Sequence, residues 1–314
     1  MDTLSKSPIQ VGLEALSVGE RCLRPYAHRF SPHVYTQPQL FACLVLKTFF
    51  RLDYRGIVAL LRDFSDLQEA LELKFVPHFT TLQKASRRLL LAPHARHLFH
   101  TTVRRFLKRR RRVPRAAFDS TGLDLGRRSF YYVRRRQKVD QPWKTIAYSR
   151  FAKLEAAVDC DSHFLLAVLV GRGPQVDVNR FVPLLEATLQ NCDPLSVLAD
   201  AGYDSEANHN HAHKQGVRTY IPAKIGRPTD KLPKGRHRRR MRQRLNKDYG
   251  QYGQRWQVET GFSMLKRRLT STVNARTYWN QCRELLLLAL TFNIMILYAA
   301  AGFLQSNSRP LFFP

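Results

Sequence analysis

The chain has 314 residues, of which 44% are hydrophobic and 11% aromatic, enough to fill a core and too many for a disordered polyelectrolyte. Its 52 lysines and arginines against 24 acidic residues give a net charge of +28, a self-repulsion that indicates a polyanionic partner, and nucleic acid suits this charge best. Five scattered cysteines and an N-terminus without an apolar signal core argue against an exported disulfide protein, so we expect a cytoplasmic protein, associated with the nucleoid in a bacterial or archaeal host.

The first part of the chain is expected to be a small helical domain. Residues 37–91 carry apolar side chains three and four positions apart, as in "QLFACLVLKTFF", which predicts amphipathic helices. A strongly basic run follows at residues 104–115, and Pro114 marks a break before the next element. We therefore expect a helical N-terminal domain of residues 1–112, suited to DNA binding or dimerisation, and a second domain of residues 113–314.

The second domain alternates strands and helices. Short apolar runs predict strands at "RAAFDSTGLDL", in a hairpin at "KLEAAVDCDSHFLLAVLV", at "PLSVLAD" and at "VRTYIP". Helices are predicted on either side of "PLSVLAD" and again near the end, which gives an α/β domain with a sheet flanked by helices. Residues 234–244, "KGRHRRRMRQR", lack an apolar period, and we expect a loop that DNA orders.

Residues 285–304 form an uncharged stretch of 20 residues, which is long enough to cross a bilayer. A fully buried helix of a large core has the same hydropathy, and Thr291 and Asn293 interrupt the run. We favour a core helix that packs beside the helix of Glu259, with no membrane association.

Three carboxylates stand out in the second domain. Asp119 lies within the first strand, Asp200 ends the strand "PLSVLAD", and Glu259 lies on the predicted helix "YGQYGQRWQVETGFSMLKRRL". Acids at adjoining strand ends and on a covering helix can converge on one cleft, where they can hold two hard cations for an in-line displacement at phosphorus. Singly, each acid is more often a turn, cap or solvated residue. Asp204 is the alternative second carboxylate; we choose Asp200, and expect Asp204 to cap the next helix.

Tyr252, Arg255, Glu259 and Lys266 share one face of that helix, because at about 100° per residue they fall within about 60° of one another. The series Y-x2-R-x3-E-x6-K, here "YGQRWQVETGFSMLK", matches at all four positions the YREK signature of insertion-sequence DDE transposases. "FDSTG" and "LADAGYDS" resemble the first and second aspartate motifs of that family. Some members carry a large β-rich insertion before the glutamate, for which the 259 − 200 = 59 residues here leave no room.

The resemblance covers about residues 37–304 and implies a ribonuclease-H-like fold. It also implies a transposase that cleaves phosphodiester bonds at element ends and transfers the 3′-hydroxyl strand to target DNA. Its cofactor would be two Mg²⁺ ions, for which Mn²⁺ can substitute. The metal ligands carried over from the family motifs are Asp119, Asp200 and Glu259. The residues that would contact DNA near the scissile phosphate are Tyr252, Arg255 and Lys266.

Two basic segments predict further DNA contacts. Between the first two strands, aromatic and basic residues alternate, which suits phosphate contacts and stacking on an unpaired base, although a solvated hairpin fits equally well. The candidate contacts there are Arg134, Arg135, Arg136, Trp143 and Lys144. In the basic loop they are Arg238, Arg239 and Arg240. The expected partner is double-stranded DNA, both terminal repeats and target, with at least a homodimer assembled on two ends.

Two other function classes stay open. A host nuclease or junction resolvase on the same fold would cleave DNA without strand transfer. A non-catalytic DNA-binding relative would keep the charge and lack function at one acid, but all three acids are present. Inverted repeats in the flanking DNA would separate a transposase from a nuclease.

Overall fold

The computed structural model describes residues 4–108, 110–126, 151–224, 233–247 and 249–306. The chain divides into two compact units, Met1–Arg111 with Leu286–Pro314, and Arg112–Leu285. The boundary near residue 111 falls in the basic run, between the last helix of the first unit and the first strand of the second.

The first unit is helical, as the apolar periodicity predicts. Its centre is a helix whose residues 40–46 are all buried, and a capping box of Thr36 and Gln39 fixes where that helix begins. The helices are α1 (Pro8–Cys22), α2 (Gln37–Phe49), α3 (Tyr54–Asp63), α4 (Ser65–Ala70), α5 (Phe79–Leu89) and α6 (Ala92–Leu107). Helices α1, α3 and α5 pack against the central α2.

The last helix of the chain, Tyr278–Ser306, extends into this helical unit from Leu286 onward. Buried Asn293 donates its side-chain amide to Thr102 Oγ1 of α6 at 3.4 Å, and Ser5 N donates to Met295 O at 3.0 Å. Residues 286–314 are thus grouped with the first unit, which corrects the expected assignment of this segment to the second domain, while its packing beside the helix of Glu259 stays a prediction. The physical reason is that an all-round apolar helix has no preferred face, so hydropathy does not specify its partner.

Among the described helices, this one alone is long and apolar enough to cross a membrane, over Tyr278–Ala299. Its most apolar window is 72% buried inside the protein, which fits the core helix that we favour. Thr291 within it is also fully buried, and its hydroxyl donates to Leu287 O at 2.8 Å, so burial leaves this polar group satisfied.

The second unit is built on a mixed sheet. Its strands are β1 (Arg112–Leu125), β2 (Phe151–Asp159), β3 (Leu165–Gly173), β4 (Asp193–Ala199), β5 (Arg218–Tyr220) and the short β6 (Thr272–Val273). The order is β3-β2-β1-β4-β5, with β6 paired to β1. Strands β1, β2 and β3 run antiparallel in sequence, whereas β4 and β5 add in parallel on the other side of β1. The main strands occur in the predicted order along the chain, and the sheet confirms the ribonuclease-H-like α/β fold.

Helices cover both faces of the sheet. The helices that contact the sheet are α7 (Phe181–Asn191), α8 (Glu206–Lys214), α9 (Arg236–Lys247) and α11 (Trp256–Arg268). The short α10 (Tyr249–Gly253) precedes α11, and the last helix, Tyr278–Ser306, is α12. On β1, Phe118 points towards α7, where its ring lies 5.7 Å from that of Phe181. Because side chains alternate along a strand, Asp119 points to the opposite face. That face is covered by α11, whose Gly261 lies against Val158 of β2.

Two local predictions are wrong. The basic segment predicted as a loop is helix α9, because the Glu206 carboxylate accepts hydrogen bonds from His237 N at 2.9 Å and Arg238 N at 3.1 Å, which satisfies the first N–H groups of the helix. The single helix predicted through the YREK series breaks between α10 and α11, where Gly250 and Gly253 have low helix propensity.

Candidate active site

Asp119 and Asp200 occupy neighbouring positions on adjacent strands. In the parallel pairing of β1 with β4, Phe118 lies opposite Ala199, and each is followed directly by one of the two aspartates. Neighbouring strands are about 4.8 Å apart, so the two carboxylates arise side by side at the edge where β4 ends. The structure thus brings together two of the three predicted acids.

The backbone holds both carboxylates in place. Ser120 N donates to Asp119 Oδ1 at 2.7 Å, and Gly202 N donates to Asp200 Oδ1 at 2.8 Å in the short 3-10 helix Ala201–Tyr203. A Cβ atom at Gly202 would stand 2.9 Å from Asp200 Oδ1. Glycine at this position therefore allows the close approach that fixes the Asp200 side chain.

Glu259 reaches the site from the first turn of α11, and Arg255 joins it to Asp119. The Arg255 guanidinium lies 2.7 Å from Glu259 Oε1 through Nη2 and 3.7 Å from Asp119 Oδ2 through Nη1. The Glu259 side chain is 56% exposed, whereas that of Asp119 is 22% exposed. The arginine of the YREK series thus provides positive charge between two of the acids.

The electrostatics show that Asp119 is costly to ionise. Burial, followed by the negative charges of Asp200 and Glu259, raises the pKa of Asp119, while the Ser120 N–H and the Arg255 guanidinium lower it, and the net result is a rise from 3.8 to about 6. The three acids therefore lie within electrostatic range of one another. A carboxyl group whose pKa is raised by burial and by like charges indicates a site where a bound cation would offset the repulsion between the acids.

The donor set fits a hard divalent cation in chemistry and in charge. All three groups offer carboxylate oxygens, the ligands that Mg²⁺ and Mn²⁺ prefer, and the Arg255 guanidinium stands in for cationic charge between two of them. In their present arrangement, the described residues contain no group of three His, Cys, Asp or Glu side chains that is ready to hold a metal ion. In this arrangement the Glu259 carboxylate pairs with the Arg255 guanidinium, 2.7 Å from Nη2.

The remaining members of the YREK series lie on two elements. Tyr252 is on α10; burial raises the pKa of its phenol, Arg255 lowers it and Asp200 raises it, so the phenol lies near both groups. Arg255 N also donates to Tyr252 O at 2.9 Å. Lys266 is half-buried in the last turn of α11, about 10 Å beyond Glu259 along the helix axis. Tyr252 and Arg255 thus border the acids, and Lys266 lies further off.

The candidate DNA contacts of the basic segments differ in their surroundings. Arg238 is engaged by Asp204, with Nε 2.9 Å from Oδ2, and Arg239 Nε donates to Pro233 O at 3.1 Å. Arg240 is exposed. The other candidates, Arg134, Arg135, Arg136, Trp143 and Lys144, lie outside the described residues.

Asp204, the alternative second carboxylate, pairs with a basic residue of α9. Ser205 caps α8, accepting from Asn208 N at 3.1 Å, so the expectation that Asp204 caps this helix is wrong. The Asp204 side chain is instead 1% exposed and accepts hydrogen bonds from Arg238 and from Lys224 N. Burial raises the pKa of Asp204, but hydrogen bonds from His209 and Arg238 outweigh it and leave the pKa below its usual value.

The sequence interpretation missed a buried charged network on the other face of β1 and β2. Lys153 and Glu155 on β2 form it with Asp177 and Arg180, which lie in the 3-10 helix Asp177–Arg180. The sequence "KLEAAVD" already indicates such a network, because a lysine and a glutamate interrupt an otherwise apolar strand and need partners if they are buried.

The family model of the transposase DDE domain matches residues 114–294 of the chain. The matched span contains Asp119, Asp200 and Glu259 together with the whole sheet except the first residues of β1. A comparison with curated proteins gave no match.

Proposed function

Because this chain belongs to the transposase family that carries the DDE domain, we propose that it cleaves phosphodiester bonds at transposable-element ends and transfers the freed 3′-hydroxyl strand to target DNA. The observation that carries this proposal is the grouping of Asp119, Asp200 and Glu259. Burial of Asp119, together with the negative charges of Asp200 and Glu259, raises the pKa of its carboxyl to about 6. Structural acids are more often paired so that their charge is compensated.

In this proposal, Asp119, Asp200 and Glu259 hold two Mg²⁺ ions, for which Mn²⁺ can substitute. Such ions supply Lewis acidity at the scissile phosphate and activate the attacking oxygen at neutral pH. Asp119 and Asp200 are preorganised for this role, since backbone N–H groups orient both carboxylates. The Glu259 carboxylate, by contrast, lies on a side chain that is 56% exposed and pairs with Arg255.

Arg255 changes partners in this proposal. Its guanidinium now pairs with Glu259, and Glu259 has to leave it in order to bind a cation beside Asp119. The released guanidinium is then available for a phosphate oxygen, for which its planar fork of donors is well suited. Tyr252 lies beside it and is placed to contact the same stretch of DNA backbone.

The DNA partner follows from charge and exposure. A net charge of +28 favours many phosphate contacts, and exposed Arg240 on α9 is available for one of them. Lys266 and Arg239 extend the candidate surface, whereas Arg238 serves first to hold α9 against Asp204. We further propose that two copies act together in the cytoplasm, since two element ends have to be brought to one target.

The test uses a plasmid that carries the gene with its own flanking DNA, because the flanks contain the ends that the protein would recognise. Purified protein and Mg²⁺ should release the element with free 3′-hydroxyl ends and join them to a second plasmid. Glu259→Gln should abolish both products and leave DNA binding nearly unchanged. Glu186→Gln, at an exposed glutamate on α7, is the matched control and should be fully active.

Each result decides between the function classes. Cleavage without joined products would show a nuclease and refute strand transfer. Retention of cleavage by Glu259→Gln would refute the assignment of the site. Binding without any cleavage by the wild-type protein would leave a DNA-binding relative and overturn the proposed reaction.

A further inference from the structure

The buried charged network contacts the strand segment that bears Asp119. Lys153 Nζ lies 2.6 Å from Asp177 Oδ1, 3.2 Å from Glu155 Oε1 and 2.9 Å from the main-chain oxygen of Gln175. The Lys153 and Glu155 side chains are 5% and 2% exposed, whereas those of Asp177 and Arg180 are 30% and 28% exposed. Arg180 Nε completes the network at 2.7 Å from Glu155 Oε2. Two cations thus balance two carboxylates.

Asp177 connects this network to both aspartates of the site. Its Oδ1 accepts a hydrogen bond from Ser120 Oγ at 3.3 Å, and Ser120 is the residue whose N–H orients Asp119. On its other side, Asp177 Oδ2 lies 3.5 Å from where a Cβ of Gly202 would stand, and Gly202 N orients Asp200. One carboxylate therefore adjoins the two backbone positions that aim the two aspartates.

Stability alone does not account for this network. Moving ionised groups into a protein interior costs several kcal/mol per ion, and well-packed apolar residues in their place are often neutral or stabilising. The neighbouring positions of β2, such as Leu154 and Ala156, are apolar and fully buried. An apolar residue could therefore occupy the charged positions of β2 as well. The charged groups instead lie next to Ser120 of β1 and Gly202, whose N–H groups orient Asp119 and Asp200.

We propose that Asp177, held by Lys153, is a positioning residue that fixes Ser120 and the Gly202 turn, and through them the aim of Asp119 and Asp200. This inference rests on the proposed function, because it assigns the aspartates a metal to be aimed at. Residues that orient metal ligands typically account for 10- to 100-fold in metal affinity or activity.

The experiment measures Mn²⁺ binding to the DNA-free protein by electron paramagnetic resonance, alongside kcat and DNA affinity. Asp177→Ala should weaken Mn²⁺ binding and lower kcat by about 10-fold or more, with DNA affinity unchanged. Asp177→Asn keeps an oxygen that can accept from Ser120 and should recover most of the loss. Asp161→Ala is the matched control, since this exposed aspartate pairs only with Arg115 at 2.8 Å among the contacts of the described residues, and it should behave as wild type.

Ser120→Ala tests the link itself. It should reproduce part of the Asp177→Ala loss, and the double variant should lose less than the sum of both, as expected for residues in one hydrogen-bonded path. If Asp177→Asn is as damaging as Asp177→Ala while Ser120→Ala is harmless, Asp177 acts as a ligand and the positioning role is refuted.

If the Asp177 variants lower only the melting temperature and leave Mn²⁺ binding and kcat intact, the network is structural and the positioning role is again refuted. Failure of the proposed function looks different. In that case Asp119→Asn itself would leave Mn²⁺ binding unchanged, whatever the Asp177 variants do.

Discussion

Replacing Asp119 with asparagine should stabilise the metal-free protein at neutral pH while it abolishes metal-dependent cleavage. The carboxyl is isosteric with the amide, and the amide oxygen can still accept the hydrogen bond from Ser120 N. What the substitution removes is a buried negative charge that faces Asp200 and Glu259. The predicted gain in stability is therefore electrostatic and depends on pH.

The raised pKa of Asp119 gives the size and the sign of the expected change in stability. A rise from 3.8 to about 6 corresponds to about 3 kcal/mol at 1.36 kcal/mol per unit, which we discount to about 2 kcal/mol because the side chain is 22% exposed. The protonated form is favoured in the folded state, so this destabilisation is absent below pH 3.8 and complete above about pH 6. For a folding unit the size of Arg112–Leu285, which contains Asp119, about 2 kcal/mol is about 4–8 °C in Tm.

The assay is thermal unfolding of wild type and Asp119→Asn in a chelator at pH 7.5 and at pH 4, then with Mg²⁺. The variant should melt several degrees higher at pH 7.5, and its advantage should shrink as the pH falls through 6. Added Mg²⁺ should raise the Tm of the wild type and not that of the variant. A variant that melts lower than wild type at pH 7.5 in chelator would refute the electrostatic reasoning.

Three further substitutions test the surroundings of the site. Arg255→Gln should tighten Mn²⁺ binding to the DNA-free protein, measured by titration calorimetry, because it removes the cation that now pairs with Glu259; weaker binding would contradict this role. Asp204→Asn should lower stability by about 2 kcal/mol in denaturant unfolding, because Arg238 loses its charged partner, yet the variant should still cleave at a permissive temperature. Arg240→Gln should weaken binding to duplex DNA and reduce the salt dependence of the affinity by about one phosphate contact, with an unchanged Tm; an unaltered salt dependence would show that this residue faces away from DNA.

The sequence predicts those parts of the fold that depend on local pattern. Strand order, the helical first unit and the placement of Asp119 and Asp200 all follow from apolar periodicity and from where runs end, which are properties of a few consecutive residues. The register between β1 and β4 cannot be read from the sequence. Only the pairing of Phe118 with Ala199 shows that the two aspartates are neighbours.

Long-range contacts explain the errors. Helix α9 forms where no apolar period predicts one because Glu206, which is 31 residues before His237, caps it, and Asp204 holds Arg238 across 34 residues. Neither partner can be identified from the basic segment itself. The break before α11 is different, because Gly253 already signals weak helix propensity within the YREK series.

The excess of positive charge in the chain affects the acids of the candidate active site, because basic side chains of the same protein can pair with them. In a chain with a net charge of +28, acids that are to hold cations attract the protein's own basic groups, and Arg255 does pair with Glu259 and approach Asp119. In the proposed reaction, a divalent cation would therefore compete with this internal cation, and DNA phosphate would compete with the acids for Arg255. If the exchange of partners proceeds as proposed, phosphate that draws Arg255 away favours metal binding, and metal that displaces Arg255 favours phosphate binding by the same factor. The metal site and the DNA surface are then coupled through one side chain, which would limit metal binding while no DNA is bound.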